Sequence, residues 1–178
     1  MKTINVPAKE QVSEQSQMIF DAITKKIGKV PNLFATIGYS ANALKGILEF
    51  EEAFAKGAFS AKEREGINLV VSQTNNCTYC LAAHTMLAGM KGFSSDEIIE
   101  MRKGHSSDAK LEIVLQLAKS IVENKGNADA SLKNTFFEVG YNEAALIDLI
   151  GIITVRTFTN YVYAATEIPV DFPLAPQV

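Results

Sequence analysis

The chain carries no block of lysine and arginine. Its 17 basic and 20 acidic residues leave a formal charge of −3 at pH 7 and a pI near 5.5, so the electrostatic footprint of a nucleic-acid binder and a polybasic patch for a membrane surface are both missing. Nor is there a long hydrophobic run: the longest, over 146–155, contains Asp148 and is shorter than the roughly 18 residues expected of a membrane span. Residues 1–15 have neither the basic start nor the apolar middle of a secretory signal, which makes the cytoplasm the expected compartment. Glycine and proline, at 11 and 5 residues, are too few for collagen-like or low-complexity chains. The expected partner is a small molecule or another protein, with no nucleic acid and no membrane. Cysteine is scarcer still. The only two, Cys77 and Cys80, lie three positions apart, which in a reducing compartment argues against a structural staple and toward metal or redox chemistry.

What is present reads as helix. At 178 residues the chain is expected to form one domain over 1–178, long enough to bury about 70% of its unfolded surface. Apolar residues recur at three- and four-residue intervals, with hardly any strict alternation, so the fold class is all-α. A first helix is expected over 11–27, burying Ile19, Ala22, Ile23 and Ile27, with Gly28 as its stop. A short one follows over 30–38. Ser40 should cap a third, burying Leu44, Ile47, Leu48, Phe50 and Phe54 before Gly57. Ser60 with Glu63, and Ser94 with Glu97, have the spacing of capping boxes for helices ending near Asn75 and Lys103, and a helix over 77–91 lies between them. Later helices are expected over 108–125, 130–139 and 143–165, and the proline-bearing tail over 169–178 should run extended along the surface.

The two cysteines and His84 form a group. On a helix, residues three and four apart share a face, so Cys77, Cys80 and His84 line up, with the cysteine Cα atoms roughly 5 Å apart, within disulfide reach. Reactivity requires thiolate, and an ordinary thiol with a pKa of about 8.5 supplies little of it at neutral pH. The helix N-terminus favours thiolate at Cys77, whereas the imidazole one turn on favours it at Cys80. Glu65, on the preceding helix, is the candidate carboxylate to orient that imidazole. If the two helices pack antiparallel, Glu65 and His84 lie at about the same depth from the Asn75-Asn76 connection. Blander readings stand beside this one: two small buried thiols, a core histidine and a solvated glutamate. Zinc would need a fourth ligand, for which His105 is available, although its Gly104-His105-Ser106 setting reads as a surface turn. Tyr79 reads as packing or rim.

The string of Glu65, eleven residues, Cys77-Thr78-Tyr79-Cys80, three residues and His84 resembles the signature of the alkyl hydroperoxidase D branch of the carboxymuconolactone decarboxylase family. Val30 to Phe34 and the stretch from Asn160 to Asp171-Phe172-Pro173 are similar to the peroxidase-related members as well, so the resemblance spans nearly the whole chain. It implies the AhpD-like helical fold, with an antiparallel helix pair carrying the site, a homo-oligomer, and no metal or bound organic cofactor. It also implies a catalytic set of Cys80, Cys77, His84 and Glu65. In that scheme Glu65 and His84 deprotonate Cys80, which attacks a hydroperoxide, and Cys77 resolves the sulfenic acid to a disulfide. A dithiol or protein reductant, of lipoyl or thioredoxin-like type, then reopens it. Tyr79 stands where well-known members have a second histidine. Decarboxylases of the wider family lack the cysteine pair. The expected pocket walls are Phe34, Phe59, Leu69 and Met86. The alternatives are a redox sensor or partner-binding oligomer without turnover, and a lyase that retains the fold.

Overall fold

A computed structural model describes residues 3–178. The described residues form nine α-helices and no strands: α1 (Glu14–Ile27), α2 (Asn32–Ile37), α3 (Ala41–Ala53), α4 (Ala61–Thr74), α5 (Thr78–Met90), α6 (Ser95–Lys103), α7 (Ala109–Glu123), α8 (Ala130–Glu138) and α9 (Glu143–Thr166). Short 3-10 turns at Lys9–Gln11 and Phe54–Lys56 lead into α1 and out of α3. The starts follow side-chain caps. Ser40, Ser60 and Ser94 each accept the amide three residues on, and Glu63 and Glu97 reach back to complete the boxes of α4 and α6. One cap displaces an expectation. Ser13 accepts the Ser16 amide, so α1 begins at Glu14 and not near residue 11.

Two apolar clusters meet along α9, which contributes to both. The larger packs Ile67, Leu69 and Val70 of α4 against Leu115 and Leu117 of α7, Phe136 of α8 and Leu149 of α9. The smaller gathers Phe20, Leu33, Leu44, Ile47 and Val155 around Cys77, Tyr79 and Cys80. Every residue of α4 from Glu65 to Ser72 is buried, as befits a helix surrounded by others. α9 is long and apolar enough to cross a membrane by length and composition, with a mean hydropathy of 1.3 over its best 18-residue window. Half of that window is buried inside the fold, and it serves as the second central helix.

Two packing expectations need correction. The α1 face of Ile19, Ala22, Ile23 and Ile27 is not core: Ile19 and Ile23 are half-buried, Ala22 and Ile27 exposed, and Ser16 and Phe20 are buried in their place. The cause is geometric, because that face borders an open groove rather than another helix. On α3 Leu44 and Ile47 are buried, while Leu48 is half-buried and Phe50 exposed. The tail over 169–178 is non-helical and runs over the surface as expected, where polar contacts tie it down just after a buried residue. Ile168 is buried, the Asp171 carboxylate accepts from Lys29 Nζ at 2.8 Å, and the Pro176 carbonyl accepts from Arg102 Nη1 at 2.7 Å.

Candidate active site

Glu65 enters the core because the Ser60–Glu63 box starts α4 one turn earlier and its own turn faces α5. The end of α4 sets the cysteines. Asn76 adopts the left-handed conformation, with φ of 53°, and the Cys77 amide donates to the Ser72 carbonyl at 2.9 Å, closing a Schellman-type turn. Asparagine tolerates that conformation, so the sharp connection needs no glycine. Cys77 is therefore not helical: it is the N-cap of α5, and its sulfur accepts the Cys80 amide at 3.3 Å. This differs from the expectation of a helix beginning at Cys77, and it lays that sulfur over the helix end.

Cys80 follows in the first turn of α5 and His84 in the next. Both cysteines are free, and they are 2% and 1% exposed. His84 Nδ1 lies 2.6 Å from Glu65 Oε2, a contact that joins α5 to α4 and gives the carboxylate the Nδ1–H, leaving Nε2 as the free ring nitrogen. Burial pushes the Glu65 carboxyl up, but the His84 charge and hydrogen bond, with Arg156 and Lys91 behind them, hold it below its ordinary value. Cys80 is lowered to about 6, first by a hydrogen bond from the Cys77 thiol and then, against the cost of burial, by the charges of Arg156 and His84. Cys77 moves the other way, because its proton is shared with Cys80 and its surroundings are apolar. Of the pair, Cys80 holds the negative charge.

A cavity of about 540 Å³ opens onto this sulfur. Its walls are Leu33, Phe34, Met86, Leu87, Met90 and Phe172, with Cys80, His84, Arg156 and Thr159 at its polar end. Cys77 does not line it. Phe34 and Met86 lie where expected; Phe59 and Leu69 do not, since both belong to the larger apolar cluster on the other side of α4. His105 is remote from the cysteines, exposed on the α6–α7 turn with Nδ1 3.5 Å from Glu112 Oε1. Among the described residues no group of three His, Cys, Asp or Glu side chains could hold a metal ion, so the zinc alternative lacks its ligand set. Tyr79 is a tail anchor. Its hydroxyl donates to Asp171 Oδ1 and accepts the Leu33 amide at 3.1 Å, and burial with the neighbouring carboxylate pushes its phenol well above the ordinary tyrosine value.

The sequence reading missed the α9 side of the site. Arg156 is buried, donating from Nε to Asn68 Oδ1, from Nη1 to Thr159 Oγ1 and from Nη2 to Glu51 Oε1. Asn160 accepts from Asn75 Nδ2 at 2.9 Å and donates to Ser72 Oγ, tying α9 to the turn before Cys77. A signal was there to read: the one cation of a mostly apolar helix needs a partner.

Residues 41–122, from α3 through nearly all of α7, match the model of the Carboxymuconolactone decarboxylase family, and this stretch includes Glu65, Cys77, Cys80 and His84. No curated protein matches the chain. Solved structures share its fold over most of their length. A peroxidase-related protein from Silicibacter sp. TM1040 is 21% identical, with a TM-score of 0.79 over 95% of this chain and 89% of that one. The alkylhydroperoxidase AhpD core of a peroxidase-related protein from Ralstonia eutropha JMP134 is 17% identical, with a TM-score of 0.82 over 93% and 90%. The debrominase Bmp8, as a cysteine-to-alanine variant in complex with 2,3,4-tribromopyrrole, is 18% identical, with a TM-score of 0.79 over 96% and 93%. At these identities the likeness establishes an AhpD-like helical fold, and the match to the carboxymuconolactone decarboxylase family lies in the segment 41–122 that holds the cysteines.

Proposed function

We propose that this protein is a thiol-dependent peroxidase that reduces organic hydroperoxides. The observation that carries the proposal is a buried cysteine, Cys80, facing an apolar cavity next to an imidazole whose other nitrogen is held by Glu65. His84 Nε2 takes the Cys80 proton, and the thiolate attacks the terminal peroxide oxygen. An S–O bond forms, the O–O bond breaks, and the departing alkoxide leaves as an alcohol with the proton from His84. Cys77 then attacks the sulfenic sulfur, an S–S bond forms, and hydroxide departs as water with the Cys77 proton. A dithiol or thioredoxin-like reductant reopens the disulfide by exchange, giving up two electrons and two protons. Apolar walls suit an organic peroxide better than a charged substrate.

Steady-state assay tests this reading. Consumption of cumene hydroperoxide well beyond one equivalent per site, in the presence of a dithiol donor, is expected of the peroxidase. A redox sensor stops at one equivalent, and a lyase that merely keeps the fold retains its activity when both cysteines are replaced. A second reading is favoured by the apolar cavity together with the fold shared with a debrominase: reductive dehalogenation, in which the dithiol supplies two electrons, a proton replaces the halogen and halide leaves. Bromide release from a brominated pyrrole, with no turnover of hydroperoxide, selects it. The resemblance to the alkyl hydroperoxidase D branch also leads us to propose a homo-oligomer. Ile147, Ile150, Phe158 and Tyr161 form an exposed stripe along α9, beside Phe50 of α3, which supports self-association. Sedimentation of the wild type against Phe158→Glu tests it.

A further inference from the structure

The proposed peroxide chemistry uses Glu65, His84, Cys77 and Cys80 and leaves Arg156 without a task. It is the only cation of α9, and its side chain is 7% exposed. A guanidinium withdrawn from water must be paired and hydrogen-bonded, and an apolar side chain of similar volume would stabilise the fold at least as well. Its surroundings show what it does there. Asn68 of α4 takes Nε at 3.2 Å and Thr159 of α9 takes Nη1 at 3.2 Å, both from buried positions. Glu51 of α3 takes Nη2 at 3.3 Å, but its carboxylate side chain is 44% exposed. The cation is fixed and dry, whereas its anion is wet and held by this contact alone.

Thr159 connects this arrangement to the cysteines. Its hydroxyl oxygen lies 3.9 Å from Cys80 Sγ, so a single hydroxyl separates the guanidinium from the sulfur. With Cys80 protonated, the thiol donates to that oxygen while the Thr159 proton goes to the Arg156 carbonyl at 2.8 Å. Once the sulfur is anionic, the hydroxyl must turn to donate to it, and the Nη1–H still holds the oxygen in place. The Glu51–Arg156 pair also stands between two cavities. The one of about 540 Å³ holds Cys80, and another of about 530 Å³ reaches Glu65 and Arg64 from the far side.

We propose that Arg156 is a positioning residue for the Cys80 sulfur, favouring its anionic form through Thr159, and that Glu51 is the counter-charge that limits how much of this field the sulfur receives. The inference rests on the thiol reading of the site but not on the identity of the oxidant. Other charged or titratable groups face Cys80 from each packed element: Cys77 from the cap of α5, Tyr79 and His84 from α5, Tyr163 from α9, Glu65 from α4 through His84, Asp171 from the tail through Tyr79, and Lys26 of α1 and Lys29 from the walls of the same cavity. Glu51 lines that cavity as well, so its direct effect on the sulfur is separated from its effect through Arg156 by replacing both.

The test is the rate of iodoacetamide labelling at Cys80, resolved from Cys77 by peptide mass, as a function of pH in the wild type, Glu51→Gln, Arg156→Lys and Arg156→Gln. Removing the guanidinium is expected to raise the labelling inflection by about one pH unit, and lysine is expected to restore part of the shift. Neutralising Glu51 is expected to lower the inflection by about half a unit, since the cation is then uncompensated. The downward shift is expected to vanish when Glu51→Gln is made in Arg156→Lys with its weakened fork, and a shift of full size there reports the Glu51 charge acting directly and overturns the role of Arg156. An inflection unmoved in Glu51→Gln alone, or moved upward, overturns the proposal even if Arg156→Gln fails to fold. The outcomes separate from those of the proposed function. Expected shifts in a protein that hydroperoxide does not oxidise remove the peroxidase and keep this inference, whereas normal oxidation with unmoved inflections removes this inference alone.

Discussion

Cys80 sits in the first turn of α5 with an imidazole on one side, His84 held by Glu65 from α4, and a guanidinium on the other, Arg156 from α9. With the thiol lowered to about 6, labelling of Cys80 is expected to rise through pH 6 and level off by about pH 8, well before an ordinary thiol with a pKa of about 8.5 would do so. A stability effect follows with a definite sign. The folded value lies below the unfolded one, so the stabilising contribution of the Cys80 thiolate is full above about pH 9 and is lost as pH falls toward 6. Cys77, shifted upward, opposes it only above its own unfolded value. Urea unfolding of reduced wild type against Cys80→Ser across this window shows the rise in one and not the other. Glu65→Gln leaves the imidazolium without its carboxylate and is expected to cost about 100-fold in peroxide turnover. The Glu65–His84 contact was legible because both residues lie at equal depth from one short turn. For Arg156 only the need for a partner was legible and not its place beside Cys80, because spacing rules see one helix pair at a time and α9 arrives from far along the chain.

At the scale of the element, caps were easier to read than faces. The serine of each capping box makes a local hydrogen bond that needs no knowledge of the rest of the fold, so the starts of α4 and α6 could be placed from four residues each. Ser60→Ala is expected to cost about 1 kcal/mol in chemical unfolding, and to loosen the turn that places Glu65. Burial faces depend on what packs opposite. The apolar stripe of α1 looked like core but borders a groove, and nothing in residues 11–27 distinguishes the two cases. Gly151 illustrates the same dependence from within α9. A glycine inside a helix is unfavourable by about 1 kcal/mol relative to alanine, yet a Cβ here would collide with the Phe54 ring. Gly151→Ala is therefore expected to destabilise by about 1–3 kcal/mol despite its better helix propensity, measured by the shift of the urea midpoint.

Across the whole molecule, the tail closes the site that the helices build. Asp171 gathers Tyr79, Lys29 and the Asn32 amide, and Phe172 stands edge-on to the Tyr79 ring as a wall of the cavity. Burial pushes the Asp171 carboxyl up, but hydrogen bonds from Lys29 and Tyr79, the Lys29 charge and the Asn32 amide together hold it below its ordinary value, so this anchor is intact above the ordinary carboxylate range and weakens as the solution is acidified through it. Asp171→Asn is expected to raise KM for a bulky hydroperoxide more than it lowers kcat, with limited proteolysis of the tail reporting its release. The sequence announced an extended tail through its prolines but not its docking, because the partners, Lys29, Tyr79 and Arg102, belong to three separate segments. The order of the two thiols is the centre of the account. It is tested most directly by intact mass and free-thiol count after adding one equivalent of organic hydroperoxide to the reduced wild type, Cys77→Ser and Cys80→Ser. Loss of two hydrogens in the wild type, one added oxygen in Cys77→Ser and no reaction in Cys80→Ser are the expected results; oxidation of Cys80→Ser with an inert Cys77→Ser would contradict the assignment.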